Sequence, residues 1–361
     1  MRIAEPPPYH PPVNNLPRFQ RLAFFTRLLD AAPAAERYRL AAEQIAHAER
    51  LGYDAAWVAQ HHFHEDEGGL PSPFVFLSHV AARTSRIRLG TGIITLPLEM
   101  PVRVAEDAIV LDLMSGGRLE LGVGNGGNPT AFAGFELDDR DRNDIFIRHL
   151  DRLRGALQGG PVPGGDTIYP NHPDLARRIW QATFSVAGGA RAGRAGDGLM
   201  LSRTQPRPPE APDATLAEIQ EPIIDAYLAA LPAGQAPRIV GSRSVFVADT
   251  RAEALRLADI GLRVQARRFV EQGHSLPSDS LADIIRIFDV HVGTPEDVIA
   301  SLRADRTLAR CTDLAVQVHS VDPPHPLILR SIELVAREVA PAFGWQSAAA
   351  AADRAEAGRA A

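Results

Sequence analysis

The chain has 361 residues, of which 45% are hydrophobic, a formal net charge of −6 and a single cysteine, Cys311. That length and apolar fraction suit one large α/β barrel or two medium domains and not a disordered chain. Acidic and basic residues are interleaved without a basic stripe, which argues against a nucleic-acid binder, and one cysteine rules out a disulfide framework or a cysteine-based metal site.

The two ends of the chain differ in composition from the rest. Residues 1–20 are predicted to form a proline-rich N-terminal extension, which lacks the apolar run of a signal peptide. Residues 346–361 are mostly alanine with scattered charges and are predicted to be frayed or weakly helical, forming a disordered tail. No stretch approaches the about 18 consecutive apolar residues of a membrane span. We therefore expect a cytoplasmic protein with one barrel domain over residues 21–345.

Between these ends, short apolar segments alternate with longer segments at helical spacing. Strands are predicted at residues 21–26, 53–59, 87–96, 118–123, 183–187, 198–202, 239–248 and 313–319. Helices are predicted at residues 35–51, 73–83, 102–114, 141–157, 190–195, 215–231, 251–272 and 325–339. Eight strands that alternate with helices are the pattern of a (β/α)8 TIM barrel, and this is the α/β fold that the sequence predicts.

Two segments interrupt the alternation. Residues 161–174 are rich in proline and glycine and are predicted to form a long loop between the fourth helix and the fifth strand. Residues 273–294 lead to Pro295, which suits the first position of a further helix. Insertions of this kind commonly lie over the catalytic end of a barrel, so either segment is a candidate for a loop that closes the site.

The densest polar cluster, residues 60–67, follows the second predicted strand, at the end of a barrel that carries the active site. His61 and His62 point to opposite faces if strand geometry continues, so only one of them enters the barrel mouth. Three interpretations are open: a histidine that moves a proton near a bound cofactor or substrate, a solvated loop, or a metal site of His62 and His64. The metal site is the weakest, because only His319 lies at another suitable strand end.

Glycines follow two other predicted strands. Residues 89–97 place glycines inside a strand, where the approach of a ligand and tight packing explain them equally well. Residues 122–127 contain the spacing of a dinucleotide-binding loop, but Asn128 and Pro129 follow where that fingerprint needs a helix to open, so we reject it. These glycines either admit a flat ring or a phosphate chain against the backbone, or form a plain turn.

A third glycine-rich segment, residues 186–193, lies where a strand runs into a helix. Its small side chains leave the first N–H groups of the helix accessible, and Arg191 adds positive charge beside them. Phosphate sites of barrels often lie at a late strand–helix loop. The segment therefore suits a phosphate dianion, with a structural helix start as the alternative.

Together these features resemble the bacterial luciferase-like flavin-dependent monooxygenases. The resemblance runs from about Arg21 to Trp345. It rests on residues 43–63 with their paired histidines, on residues 101–118, and on the helix start at residues 293–297. Residues 60–65 and 181–203 are similar to a branch described as FMN-dependent luciferase-like monooxygenases.

The resemblance implies a barrel that takes reduced FMN from a separate NAD(P)H:flavin reductase. It further implies insertion of one oxygen atom of O2 into a small organic substrate through a flavin C4a-hydroperoxide. A homodimer or larger homo-oligomer is expected. The site residues that we predict on this basis are His61 and His62 for catalysis, with His61 matching the first of the family's paired histidines, and Gly92, Ile93, Gly124, Asn125, Gly126, Ala187, Gly188, Gly189, Ala190, Arg191, Ala192, Ser202 and Arg203 for the cofactor.

Within that set, Gly92 and Ile93 match a cis peptide beneath the flavin ring, and residues 188–192 match the loop whose amides hold the phosphate. Three positions depart from luciferase itself: Gln60 replaces a glutamate, Asn125 replaces an arginine on the phosphate, and Met100 replaces a pocket histidine. Light emission from an aldehyde is therefore not implied, and Arg191 or Arg203 is a candidate for the missing cation.

Two alternatives stay open. Relatives of the same fold transfer hydride with the deazaflavin F420 and without oxygen. A non-catalytic flavin-binding subunit is the other alternative, and the intact pair of histidines with an intact glycine pocket argues against it.

Overall fold

The computed structural model describes residues 18–347 except 204, 209, 212, 272 and 277. Most of the predicted N-terminal extension and nearly all of the predicted tail lie outside the described residues. The strands in the described part are β1 (Arg21–Thr26), β2 (Ala55–Val58), β3 (Arg88–Thr91), β4 (Ile94–Thr95), β5 (Leu119–Gly124), β6 (Ile179–Ala182), β7 (Gly198–Leu201), β8 (Ile239–Val247), β9 (Val290–Gly293) and β10 (Asp313–Gln317).

Helices connect these strands. In the same described ranges they are α1 (Ala34–Arg50), α2 (Pro73–Ala81), α3 (Pro101–Met114), α4 (Pro129–Gly134), α5 (Arg142–Leu157), α6 (Val186–Arg194), α7 (Leu216–Ala230), α8 (Arg251–Glu271), α9 (Leu281–Ile287), α10 (Pro295–Ala304) and α11 (His325–Leu334). A π-helical turn, Val335–Val339, continues α11. Among the described residues, no helix is both long and apolar enough to cross a membrane.

Eight of the described strands close a parallel barrel in the order β1, β2, β3, β5, β6, β7, β8 and β10. Closure comes from β10, which pairs with β8 on one side and with β1 on the other. The predicted (β/α)8 TIM barrel is therefore confirmed. The short strand β4 pairs with β5, and β9 pairs with residues 244–247 of β8.

The predicted strand at residues 183–187 is wrong. The strand of this position, β6, ends at Ala182, and α6 begins at Val186. The side chain of Ser185 accepts a hydrogen bond from the backbone N–H of Gly188 at 3.1 Å, which caps the helix. The residues of this segment have β propensity, but they form a helix cap and a first helical turn. Capping of the helix outweighs β propensity here, because β propensity depends strongly on context.

The proline-rich loop at residues 161–174 lies at the amino ends of the strands, so it cannot close the catalytic end as predicted. It connects α5 to β6, and helix–strand connections of a β/α barrel return to the amino ends. Beside it, Nε2 of His172 contacts Oδ2 of Asp112, near the end of α3, at 2.7 Å.

The second predicted closing segment, residues 273–294, follows a helix that does reach the carboxyl ends of the strands. At the end of α8, Arg268 pairs with Asp66 of the loop after β2 at 3.3 Å. Within the segment lie α9 and β9, which the sequence did not reveal.

Charged side chains close the amino end of the barrel. Arg21 pairs with Asp313 at 2.6 Å and with Glu120 at 3.2 Å. The indole N–H of Trp180 donates to Glu120 at 2.7 Å. Next to this network, the rings of Trp57 and Trp180 meet edge to face with centroids 5.6 Å apart. The interior is filled from this side, which leaves the carboxyl ends of the strands for a site.

Two strand glycines make room for these tryptophans. A Cβ atom at Gly90 would lie 2.1 Å from Cε3 of Trp57, and one at Gly198 would lie 2.1 Å from Cε3 of Trp180. Of the two explanations for the glycines of residues 89–97, tight packing accounts for Gly90.

Candidate active site

The paired histidines follow β2 and lie in different surroundings. His61 lies near Arg27 and His319, and the positive charge of Arg27 acts on its ring. His62 instead packs edge to face on Phe135, with ring centroids 4.9 Å apart. The carboxyl ends of β1 and β10 carry Arg27 and His319, so His61 is the member of the pair on the side of the barrel mouth.

Burial keeps His61 neutral. Burial, with the charge of Arg27 as the next cause, lowers the pKa of His61 to about 3. The backbone N–H of His61 donates to the carbonyl of Leu70 at 3.0 Å, which holds the loop in place. A Cβ atom at Gly68 would lie 2.5 Å from Cδ2 of His61, so this glycine lets the loop cover the ring.

A second buried imidazole, that of His319, lies at the mouth with its own carboxylate. Its Nδ1 lies 3.0 and 2.7 Å from the two carboxylate oxygens of Asp322. Because a carboxylate only accepts hydrogen bonds, Nδ1 carries the proton and Nε2 is left as an acceptor. Burial lowers the pKa of His319 to about 4, so this ring is also neutral near pH 7.

The predicted glycine pocket lies on the neighbouring strands. The peptide bond between Gly92 and Ile93 is cis, as the resemblance implied. At the end of β5, a Cβ atom at Gly124 would lie 3.2 Å from Cδ1 of Ile93. The two predicted segments therefore meet side by side at the carboxyl end of the barrel.

Asn125 and Gly126 continue this pocket beyond the strand. The side-chain amide of Asn125 donates to Oδ1 of Asn143 at 3.3 Å, whereas its own Oδ1 is buried without a partner among the described residues. Gly126 has a φ of +69°, and a Cβ atom there would lie 2.4 Å from Cγ2 of Thr95. Both conditions favour glycine at this turn.

At the start of α6, two backbone N–H groups are available to a phosphate, fewer than the sequence predicted. The backbone N–H of Gly188 donates to Oγ of Ser185, and the backbone N–H of Gly189 donates to the carbonyl of Ser185. Val186 and Ala187 are exposed and lie in the first turn, where backbone N–H groups have no acceptor within the helix. Of the predicted set, only Ala187 keeps an available amide, and Val186 joins it.

The remaining residues of that set lie inside α6. The backbone N–H groups of Ala190 and Ala192 fall within the helical hydrogen-bond ladder, and Ala192 is fully buried in the core. Nε of Arg191 donates to Oε1 of Gln181 at 2.8 Å, so this cation is already engaged. These three residues therefore stabilise α6, and their backbone N–H groups are not available to a ligand.

Gly189 allows α6 to pack closely on α7. A Cβ atom at Gly189 would lie 2.5 Å from the carbonyl oxygen of Ile223, whereas one at Gly155, inside α5, would meet nothing within 4 Å. We expect Gly189→Ala to destabilise the fold by about 1–3 kcal/mol through overpacking. Gly155→Ala should stabilise it by about 0.5–1 kcal/mol, because alanine is the better helix former.

Urea unfolding of both variants measures this difference. Similar unfolding free energies for the two alanine variants would show that the approach of α6 to α7 does not require a glycine.

Arg203 follows β7 and reaches away from α6. Its Nη1 donates to Oγ of Ser244 at 3.2 Å and to Oγ of Ser320 at 3.1 Å, on the β8 and β10 side. Because β6 and β8 flank β7 on opposite sides, this guanidinium does not serve the start of α6. Burial lowers the pKa of Arg203 to about 9. The carbonyl of the adjacent Ser202 accepts from Gln220 at 2.7 Å.

A carboxylate that the sequence did not reveal lies beside Gln60. The side-chain amide of Gln60 donates to Oε1 of Glu99 at 2.7 Å, and its carbonyl accepts from the N–H of Thr95 at 2.7 Å. Burial raises the pKa of Glu99. Glu99 therefore brings a carboxylate next to the position where luciferase has a glutamate. The signal in the sequence that could have identified Glu99 is its position directly before Met100, where the chain departs from the luciferase pattern.

Comparison with known proteins agrees with this geometry. The family model described as luciferase-like monooxygenase matches residues 20–310. The 4-hydroxyprotoasukamycin monooxygenase of Streptomyces nodosus subsp. asukaensis is 30% identical over 346 residues, which cover 86% of this chain and 91% of that protein. The oxygenase component of a flavin-dependent trigonelline monooxygenase from Acinetobacter baylyi is 31% identical over 109 residues, 30% of each chain. The crystal structure of monooxygenase RslO1 from Streptomyces bottropensis has a TM-score of 0.76 and 25% identity, covering 90% of this chain and 100% of that one.

Proposed function

Because this chain belongs to the luciferase-like monooxygenase family and is a flavin-dependent monooxygenase, we propose that it uses reduced FMN and O2 to insert one oxygen atom into a small organic substrate. The observation that carries the choice of FMN is the start of α6, where Val186 and Ala187 are exposed and their N–H groups lack an acceptor within the helix, which suits a phosphate. Reduced FMN, when bound, supplies the two electrons with which O2 is activated.

The polar groups at the carboxyl end of the barrel fit a flavin ring. Oδ1 of Asn125 and Oε1 of Gln317 are buried and have no hydrogen-bond partner among the described residues. Buried polar atoms in native proteins are almost always paired, and the N–H groups of a flavin ring can donate to such acceptors. In this proposal the ring lies against the segments around Gly92 and Gly124, which meet at the carboxyl ends of the strands.

We assign the proton-transfer role to His61. Its neutral imidazole lies near Arg27 and His319 at the barrel mouth, where it can exchange a proton with a bound substrate or cofactor. His62 packs against Phe135 and, in this proposal, acts on the reaction only by holding the loop in place.

Reduced FMN then comes from a separate NAD(P)H:flavin reductase. Two observations support this part of the proposal. One is the similarity to a protein described as the oxygenase component of a flavin-dependent monooxygenase. The other is the segment at residues 122–127. A helix does open after it, at Pro129, where the sequence predicted none, but the strand that it ends is the fourth strand of a closed barrel and not the first strand of a dinucleotide-binding unit.

We also propose a homodimer that forms through α2 and α3. These neighbouring helices expose apolar side chains that a monomer would leave in water, with Val75 71% and Met114 72% exposed. Val110 and Leu113 of α3 are exposed as well. An apolar patch of this kind is typical of a protein–protein contact.

The phosphate position is tested by Ala187→Glu. A carboxylate at the start of α6 repels a phosphate and competes for the same N–H groups, so FMN affinity should fall by at least about tenfold. The fold should be unchanged or slightly more stable, because a negative charge near a helix N-terminus contributes about 0.3–1 kcal/mol. Calorimetric titration with FMN and thermal unfolding measure the two effects.

Ala187→Gln is the matched control, since it adds nearly the same volume without the charge and should retain most of the affinity. Wild-type affinity in a folded Ala187→Glu variant would show that the phosphate binds elsewhere.

A further inference from the structure

Two guanidinium groups lie at the same part of the barrel mouth. Arg27 follows β1, and Arg203 reaches over β8 to Ser320, the residue after His319. Within the described residues, no carboxylate oxygen lies within 4.0 Å of either guanidinium, whereas Arg21 at the other end of the barrel pairs with Asp313 at 2.6 Å. The mouth therefore carries two positive charges without a direct salt bridge from this part of the chain.

Nearby carboxylates act on these charges without forming a direct salt bridge to them, and each carboxylate contacts another group. The acidic residues whose charges act on the two arginines, each given with its own partner, are Asp66 with Arg268, Glu67 with Asn128, Asp289 with Arg207 and Asp322 with His319. A further anion at Arg27 and Arg203 would thus meet unpaired donors.

The donors themselves are incompletely used. Nε of Arg27 is buried without a partner among the described residues, whereas its Nη2 donates to the backbone carbonyl of Glu67. The hydrogen bonds of Arg203 to Ser244 and Ser320 involve only neutral hydroxyl groups. Burial lowers the pKa of both arginines, and the charges of the nearby carboxylates offset this effect only in part. A bound oxyanion would offset the remaining effect, and the planar guanidinium fork matches its geometry.

A cleft of about 450 Å³ leads to this place from outside. It lies between the end of α8 and the loop after β2, and both Arg27 and His319 line it. Its wall carries the rings of Phe269 and Phe288, whose centroids are 5.6 Å apart. The cleft is also lined by the carboxylates of Asp66, Glu67 and Glu271, of which the first two pair with Arg268 and Asn128. A volume of this size accommodates a small molecule, with the two rings for its apolar body and Arg27 for a polar end.

We propose that the substrate enters through this cleft and that Arg27 and Arg203 bind an oxyanion on it, of the carboxylate class, beside His319. This inference rests on the proposed function and names a substrate class for it. The phosphate of FMN has related chemistry, but β1 and β6 are four strands apart in either direction around the barrel. The start of α6, which follows β6, and Arg27, which follows β1, therefore lie on opposite sides of the mouth.

Calorimetric titration of the full chain with benzoate and with its neutral analogue benzamide tests the inference. Benzoate should bind at least about tenfold more tightly than benzamide, the difference expected for one charge-assisted hydrogen-bond pair. Arg27→Gln and Arg203→Gln should each remove that preference and leave FMN affinity unchanged. Arg330→Gln, at a surface arginine paired with Asp249, should leave both affinities unchanged.

Equal binding of benzoate and benzamide would overturn the inference. So would weakened FMN binding with intact benzoate binding in Arg27→Gln, because the cations would then belong to the phosphate. FMN binding without benzoate binding would contradict the inference and leave the proposed function unaffected. Benzoate binding without FMN binding would contradict only the choice of FMN. If Arg27→Gln does not fold, the wild-type comparison and Arg203→Gln still decide.

Discussion

Replacing His61 with alanine should slow the proton-dependent step of the oxygen reaction by about 10²- to 10⁴-fold, the usual contribution of a general acid–base group. FMN affinity should stay near the wild-type value, because the proposed phosphate contacts lie at α6. The effect can be measured without knowing the substrate. Protein loaded with reduced FMN is mixed with O2, and the return of oxidised FMN and the release of hydrogen peroxide are followed.

His62→Ala is the matched control for this experiment. The two histidines are adjacent in sequence, but His62 packs on Phe135 while His61 lies beside Arg27 and His319. The control should lower stability by loss of packing and change the reoxidation rate little. A changed rate in His62→Ala with a normal rate in His61→Ala would reverse the assignment. Normal reoxidation rates in both variants would favour the interpretation of residues 60–67 as a solvated loop.

Lowering the pH from about 6.5 to about 5 should destabilise the fold steeply, because buried histidines are neutral in the native state and protonated in the unfolded chain. Burial lowers the pKa of His61 to about 3 and those of His291 and His319 to about 4. The unfolded value is about 6.5. Below it the unfolded chain binds more protons, so each group contributes stability that is fully present above pH 6.5 and is lost toward its folded pKa.

Each of these histidines should contribute up to about 1.4 kcal/mol of unfolding free energy per pH unit in that window. Urea unfolding at a series of pH values measures the slope. His291→Asn is the useful variant, since His291 lies on β9, where its Nδ1 is 2.7 Å from Oγ of Ser301. Its slope should be smaller by about one histidine's share. An unchanged slope would show that His291 is protonated in the native state.

Local patterns in the sequence were enough to predict the barrel. Strand β8 is predicted at residues 239–248 and found at Ile239–Val247, and α7 is predicted at 215–231 and found at Leu216–Ala230. Both have strong periodicity, and α7 begins with a capping box of Thr215 and Glu218. The place of His61 at the carboxyl end of β2 followed from strand order alone.

Contacts between distant segments were not accessible in the same way. Gly189 was predicted to belong to a phosphate loop. Its packing against Ile223 could not be predicted, because Ile223 is far away in sequence and belongs to another helix. Arg27 and Arg203 follow the first and sixth barrel strands in chain order, and only barrel closure with a long side chain brings them to the same part of the barrel mouth. The place of the loop at residues 161–174, by contrast, was predictable, since every helix–strand connection lies at the amino end of the barrel.

The central claim, that this monooxygenase works with reduced FMN, is tested most directly by parallel anaerobic titrations of the full chain with reduced FMN, oxidised FMN and F420. A protein that collects its cofactor from a reductase must hold the reduced form better than the form it releases after turnover. We predict that reduced FMN binds more tightly than oxidised FMN and that F420 binds weakly or not at all. Micromolar binding of F420 with no binding of reduced FMN would contradict the claim and assign the barrel to hydride transfer.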